Sequence, residues 1–288
     1  MRNKLLTNTA IISLLSSSLL LTATSSANAE GQVGVGTGFD FSSGEYGGTT
    51  TTDITYIPLN CKYQNNYFAL KLTIPYVSMT SEDNNVVGGG SNVVIINSGE
   101  EATAENETNS GMGDIILAAT SFLYPGTDDN PLIPMIDLTG KIKLPSADEE
   151  KGLGTGETDY SIESDLTWFT GSTALFGTLG YKFMGSPETY ELNNVGYISI
   201  GAAYQIGPGF STGLMYDTKQ ASTDSGTDSS EATGYVSYKL SDDWKFLLYG
   251  VKGFSDGSAD YGIGATLSFS MDAEEVDWLA PVRRISDL

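Results

Sequence analysis

The chain has 288 residues, a formal net charge of -22, 34 Gly, 16 Tyr, one Cys and no His. Such acidity argues against nucleic acid as a partner, since phosphate binding needs clustered Lys and Arg, and the absence of His removes the commonest general base and metal ligand. Abundant Gly and Tyr, sparse Pro and recurrent short polar clusters point instead to a β protein with many turns.

Arg2 and Lys4 precede an apolar run from Ala10 to Leu21, then Ala27-Asn28-Ala29. This is the pattern of a secretory signal peptide over 1–29, with Ala27 and Ala29 at the cleavage site and Glu30 as the mature N-terminus. The run is shorter than the ~20 residues of a spanning helix. Cys61 stands alone far beyond that site, so it forms no internal disulfide and is expected to be a small buried or lipid-facing side chain.

From there the chain alternates at period two. Val33, Val35, Thr37, Phe39 and Phe41 interleave with Gly, Gln and Asp40; Thr55 to Tyr63 and Phe68 to Tyr76 follow. A polar loop runs from about 78 to 111, within which Val93 to Ile96 is expected to hold a short element. Ile115 to Leu123 is more uniformly apolar. Next, Ile136, Leu138, Ile142 and Leu144 alternate with Asp137, Thr139, Lys141 and Lys143, a pattern that suits either a half-buried soluble strand or a strand between lipid and a wet lumen. Tyr160 to Trp168, Leu175 to Phe183, Ile198 to Ile206, Phe210 to Tyr216 and Gly234 to Leu240 continue the alternation. The stretch Trp244 to Lys252 alternates poorly, which predicts a bulge, and Tyr261 to Phe269 alternates cleanly. The count is about twelve strands of the ~9–11 residues that cross a bilayer at a tilt.

Two regularities favour the membrane barrel over a secreted sandwich or adhesin. Connections alternate between short (64–66, 125–130, 170–172, 207–209, 241–243) and long (42–53, 78–111, 145–159, 184–194, 218–231, 254–260), the rhythm of short periplasmic turns and long extracellular loops. Aromatic residues on the apolar face gather at strand ends. Tyr63, Phe68, Trp168, Tyr204, Phe210, Trp244 and Phe269 flank short turns, whereas Phe41, Tyr76, Tyr160, Phe183, Tyr216 and Tyr261 flank long loops, forming two interfacial girdles. The expected fold is therefore an all-β, transmembrane, antiparallel up-and-down β-barrel over 30–271.

Its inward positions carry Asp40, Lys71, Asp137, Lys141, Lys143, Glu163, Asp165, Lys182 and Lys239, the candidate pore-lining residues. Such charges pair across strands or line a water-filled path. Lys71, Lys141 and Lys143 near Glu163 and Asp165 suggest a polarised constriction, and about twelve strands imply a narrow pore. Glu163 and Asp165, spaced i, i+2, suit acid–base work, but a salt-bridged wall explains them without catalysis, and known barrel phospholipases and omptin-type proteases depend on His. The loop clusters Glu100-Glu101 and Asp148-Glu149-Glu150 lack an EF-hand spacing and read as solvated tips. No catalytic residue, metal site or cofactor is expected.

Three segments in order, Gly111-Met112-Gly113-Asp114-Ile115, Lys141-Ile142-Lys143-Leu144-Pro145 and Gly152-Leu153-Gly154-Thr155-Gly156-Glu157-Thr158-Asp159-Tyr160, resemble those of the outer-membrane transporter family named for the meta-pathway of phenol degradation. The resemblance implies an outer-membrane channel, with aromatic or other small hydrophobic compounds among its solutes. The chain departs from the family in Pro145-Ser146-Ala147-Asp148, where Pro-Thr-Gly-Asp is usual, and in running on past Phe269. The remaining 272–288, with Trp278, Leu279, Val282, Ile285, Arg283 and Arg284, is expected to be a periplasmic tail or a partial plug. The expected function is facilitated diffusion of small molecules, with an adhesive barrel acting through acidic loops as the alternative. Expected partners are outer-membrane lipid and lipopolysaccharide, the barrel-assembly machinery and a small-molecule solute.

Overall fold

A computed structural model describes residues 31–81, 86–87, 94–95, 107–126 and 133–273. Its strands are β1 (Gln32–Gly44), β2 (Thr52–Gln64), β3 (Phe68–Ser81), the two-residue β4 (Val86–Val87) and β5 (Val94–Ile95), β6 (Glu107–Met112), β7 (Ile115–Tyr124) and β8 (Met135–Leu144). They continue as β9 (Asp159–Thr170), β10 (Thr173–Phe183), β11 (Val195–Gly207), β12 (Phe210–Lys219), β13 (Ser229–Lys239), β14 (Trp244–Gly253) and β15 (Tyr261–Asp272). Neighbours in sequence pair antiparallel, β15 returns to β1, and β6 and β7 both pair with β3, so that they are two halves of one wall strand. The result is a closed twelve-strand barrel. Closure leaves no unpaired edge, which a bilayer would not tolerate.

All twelve expected strands are present. The loop expected over 78–111 is shorter, because β3 runs to Ser81 and β6 begins at Glu107; within it β5 pairs with β4, close to the short element expected at 93–96. Residues 1–30, including Ala27 and Ala29, and 274–288 lie outside the described residues, as do Glu100 and Glu101.

The bulge expected in Trp244 to Lys252 is absent. The registers of β14 with both neighbours are unbroken, and its burial alternates, with Lys245, Leu247, Tyr249 and Val251 inward. Its irregular sequence comes from apolar residues placed on the lumen side. Register shifts lie instead between Gln205 and Gly207, between Phe122 and Tyr124, and between β6 and β7. In the last case Tyr76 faces Met112 while Thr73 faces Ile116, so one extra residue is accommodated at Gly113-Asp114. A bulge there turns Asp114 toward the inside.

Outside, the barrel is apolar: Leu179, Ile200 and Leu214 are 64%, 60% and 62% exposed, a band that suits lipid rather than water. Both girdles are present as ring pairs. Tyr63–Phe68, Phe210–Tyr238 and Trp244–Phe269 lie at the short-turn end, with centroids 5.9, 6.3 and 5.1 Å apart. Phe41–Tyr261, Tyr181–Phe183 and Tyr216–Phe254 lie at the long-loop end, at 6.4, 5.0 and 6.4 Å. Cys61 is exposed on this outer face, as expected.

Following the paired residues once round the ring returns to the starting strand displaced by a stagger of about 14 residues. With strands about 4.8 Å apart, that corresponds to a tilt of about 40° and a backbone radius of about 12 Å. Each hydrogen-bonded row of inward residues therefore climbs the wall as a spiral.

Candidate functional site

The inner wall is sorted chemically by these spirals. One row runs Lys62, Lys71, Ala118, Lys141, Ser161, Lys182 across β2, β3, β7, β8, β9 and β10. Two rows away runs Asp137, Asp165, Thr178, Ser199, Asp217, Glu231 from β8 to β13. The next row is largely apolar: Phe176, Gly201, Met215, Thr233, Val251. Phe176 and Met215 join Ala174, Ala203, Tyr235, Leu247 and Tyr249 in a buried cluster on β10 to β14, with Phe169 and Val251 against it.

The rings of this wall lie flat because the neighbouring strand offers glycine. A Cβ on Gly201 would come within 2.4 Å of the Phe176 ring, on Gly213 within 2.4 Å of Tyr235, on Gly264 within 2.2 Å of Tyr249 and on Gly180 within 2.0 Å of Tyr197. Large side chains are thus stored along the wall instead of across the lumen.

The charged residues fall into two states. At the long-loop end Lys143 Nζ lies 3.0 Å from Asp114 Oδ2 and 3.2 Å from Asp159 Oδ2, and donates to Thr155 Oγ1 at 3.0 Å. Lys182 Nζ reaches the same Asp159 oxygen at 3.6 Å. Asp114 also accepts from the backbone N–H groups of Ser146 and Ala147, and Asp159 from that of Gly185. The loop 145–158 is drawn into the mouth by these bonds. Its Leu153 is 2% exposed, and a Cβ on the inward Gly111 would meet Leu153 Cδ1 at 2.9 Å. Gly152 and Gly156, at φ 68° and 70°, supply the left-handed turns the fold of this loop requires. Below it Lys141 Nζ contacts Glu163 Oε1 at 2.7 Å, and Tyr197 donates to Glu163 Oε2 at 2.8 Å.

The acidic row is different. Thr178 donates to Asp165 at 2.5 Å, Ser199 donates to Asp217, and Glu231 accepts from the N–H of Ala259 at 3.2 Å. Asp40, one strand beyond β15, accepts from Tyr249. Among the described residues none of these carboxylates, nor Asp137, forms an ion pair. The loop residue Tyr46 senses this acidity. Burial raises its hydroxyl well above the usual tyrosine range, and the carboxylates of Glu231, Asp40 and Asp53 push the same way, against the hydrogen bond it donates to Ser42.

The family model described as "Putative MetA-pathway of phenol degradation" matches residues 23–271. The chain belongs to this family. In this member the three segments that carried the resemblance, 111–115, 141–145 and 152–160, converge on Lys143, so they build one ion-paired cluster at the mouth. Solved structures of similar fold include an outer-membrane channel from Pseudomonas putida F1, at 12% identity and a TM-score of 0.64, covering 85% of this chain and 97% of that one. The KdgM porin follows at 10% identity, a TM-score of 0.49 and coverage of 83% and 99%. The CymD monoaromatic hydrocarbon channel has 11% identity, a TM-score of 0.42 and coverage of 85% and 89%. At these identities the likeness is one of fold, that of an outer-membrane barrel. No curated protein matches the sequence.

All nine inward candidates from the sequence, Asp40, Lys71, Asp137, Lys141, Lys143, Glu163, Asp165, Lys182 and Lys239, do face the inside of this family member. Their grouping differs from the single constriction expected. Lys141 meets Glu163, but Lys143 turns to Asp114 and Asp159, Asp165 bonds to Thr178, and Lys239 sits at the short-turn mouth, 2.9 Å from Asp242. Sequence reading missed Lys62, Lys219, Lys245, Asp217 and Glu231, although each sits at an inward position of an alternating strand. It also missed Asp114, between the loop read as 78–111 and the strand read from Ile115, and Asp159, inside the loop read as 145–159, just as Lys219 and Glu231 fall inside the loop read as 218–231. Asp148 bonds Lys151 at 3.4 Å on the surface, and among the described residues no group of His, Cys, Asp or Glu is arranged to hold a metal ion.

Proposed function

We propose that the chain is an outer-membrane channel for facilitated diffusion of small molecules with aromatic or other apolar bodies, working without catalysis or cofactor. The observation that carries this reading is the apolar and aromatic cluster of β10 to β14, set on the inner wall of a closed barrel and flattened there by glycine. The cluster makes one side of the inner wall apolar, and a solute with an apolar body gains from such a lining. Asp40, Lys71, Asp137, Lys141, Lys143, Glu163, Asp165, Lys182 and Lys239 line its path in this reading, with the loop 145–158 narrowing the outer mouth. The chain would reach the outer membrane through a signal peptide cleaved after Ala29, fold by the barrel-assembly machinery, and sit among lipid and lipopolysaccharide.

Purified mature protein in planar bilayers tests this directly. Discrete conductance steps are expected, with liposome swelling faster for a single-ring solute than for a sugar of similar mass. A silent bilayer would remove the channel.

A further inference from the structure

The acidic row carries two features that folding alone does not favour. Asp137 lies directly across from Asp165, and Asp217 directly across from Glu231. Like charges in that position destabilise a sheet. Between the two pairs stand only hydroxyls, Thr178 and Ser199, each spent as a donor to a carboxylate. Of the lysines of the wall, Lys143 and Lys141 are closed in ion pairs with Asp114, Asp159 and Glu163, whereas Lys219, the next inward residue of β12 after Asp217, lies within the field of Glu231, and Lys62 within that of Asp137.

A second observation lies beside the first. Oδ1 of Asp137 and Oδ2 of Asp217 have no hydrogen-bond partner in the protein, and neither do the hydroxyls of Thr233 and Tyr235, residues 0% and 3% exposed. Thr233 and Tyr235 are the next two inward residues of β13 after Glu231, in the apolar rows adjoining the acidic one. Carboxylates set beside carboxylates and outside any ion pair among the described residues, hydroxyls without a protein partner, and an apolar strip therefore run side by side, from the third residue of β8 near the short turns to the third residue of β13 near the long loops.

We propose that this strip is a track for small organic cations, protonated amines whose apolar body passes the half-buried Phe169 and Val251 that cover the cluster while the ammonium group moves along Asp137, Asp165, Asp217 and Glu231. The proposal rests on the channel reading and names its solute class. Charge on a lumen wall selects the counter-ion, and an ammonium group beside tyrosine rings gains a further attraction to their faces.

The test is the reversal potential of the mature protein in a KCl gradient, with permeabilities of benzylamine, benzyl alcohol and benzoate at neutral pH. We expect potassium to pass several-fold more readily than chloride, and benzylamine fastest of the three with benzoate slowest. The double variant Asp217→Asn with Glu231→Gln should bring the ion ratio near unity and remove the benzylamine advantage, with the heat-modifiable gel mobility of a folded barrel retained. Should that variant not fold, Asp165→Asn, which keeps an acceptor for Thr178, is expected to lower the same ratio by itself. The loop variant Glu188→Gln with Glu191→Gln, at exposed positions away from the loop 145–158, should leave it unchanged, since exposed charges are screened in salt. A conducting protein that prefers chloride or benzoate, keeps its cation preference in the lumen variant, or loses it in the loop variant overturns the track and leaves the channel standing. Absence of conductance overturns the channel itself.

Discussion

Lys143 and Asp217 occupy the same inner wall near the same end of the barrel, yet their surroundings are opposite. Lys143 is 6% exposed and reaches two carboxylates and a threonine, each of which is also held by backbone or a second lysine. Asp217 faces Glu231 and is supported by one serine. A buried charge without a partner is expensive, so every charge in the first region is answered and the region becomes a fastener for the loop 145–158. In the second, carboxylates are kept beside carboxylates. The difference separates charges that fasten a loop at the mouth from charges that, in the proposed channel, present a potential to the solute.

Breaking the fastener should give the largest effect. Lys143→Met leaves Asp114 and Asp159 buried with only Lys182 nearby, and removal of one partner from a buried ion pair costs about 3–5 kcal/mol. Urea unfolding of the folded barrel should shift accordingly, the loop 145–158 should become protease-sensitive, and conductance should rise as the loop leaves the mouth. Unchanged stability would show that the cluster adds nothing to the fold. Leu153→Ala keeps the ion pairs and removes only the side chain against Gly111. We expect a loss of about 2–3 kcal/mol and a smaller rise in conductance, read in the same two assays; a conductance equal to wild type would place Leu153 off the path.

A third substitution acts on the apolar side of the wall. Gly201→Val removes the recess under the Phe176 ring, and overpacking of this kind costs about 1–3 kcal/mol. The ring must then stand out from the wall, so conductance should fall, the reverse of the Lys143 and Leu153 variants. An increase would mean that the ring does not border the path.

Much of this architecture was legible beforehand, because a barrel is written at period two and each strand repeats the message. Lys141 and Glu163 could be assigned to the inside without coordinates, and the loop rhythm oriented the ends. Partnership was not legible. Which carboxylate meets Lys143 depends on the bulge at Gly113-Asp114 and on the cross-barrel register, neither of which alternation encodes. The sign of the error is informative in β14, where Leu247 and Tyr249 broke the apolar-out pattern and suggested a bulge. They face inward because the wall there is apolar, so the apparent fault in the pattern marked the apolar side of the lumen.

The smallest structural effect should come from Asp217. Asp217→Asn keeps an oxygen to accept from Ser199 and removes one member of a like-charged pair with Glu231. Stability should change by less than about 1 kcal/mol, toward the more stable side, because like charges directly opposite each other repel. The matched change Asp159→Asn takes a carboxylate away from Lys143 and Lys182 and should destabilise by about 3 kcal/mol. Ion selectivity should respond in the opposite order, falling in the Asp217 variant and holding in the Asp159 variant whenever the latter folds. If both carboxylates prove equally stabilising, the acidic row is a structural network like the first and carries no potential into the lumen. If removal of Asp217 leaves stability alone and lowers cation preference, its charge is retained for the solute.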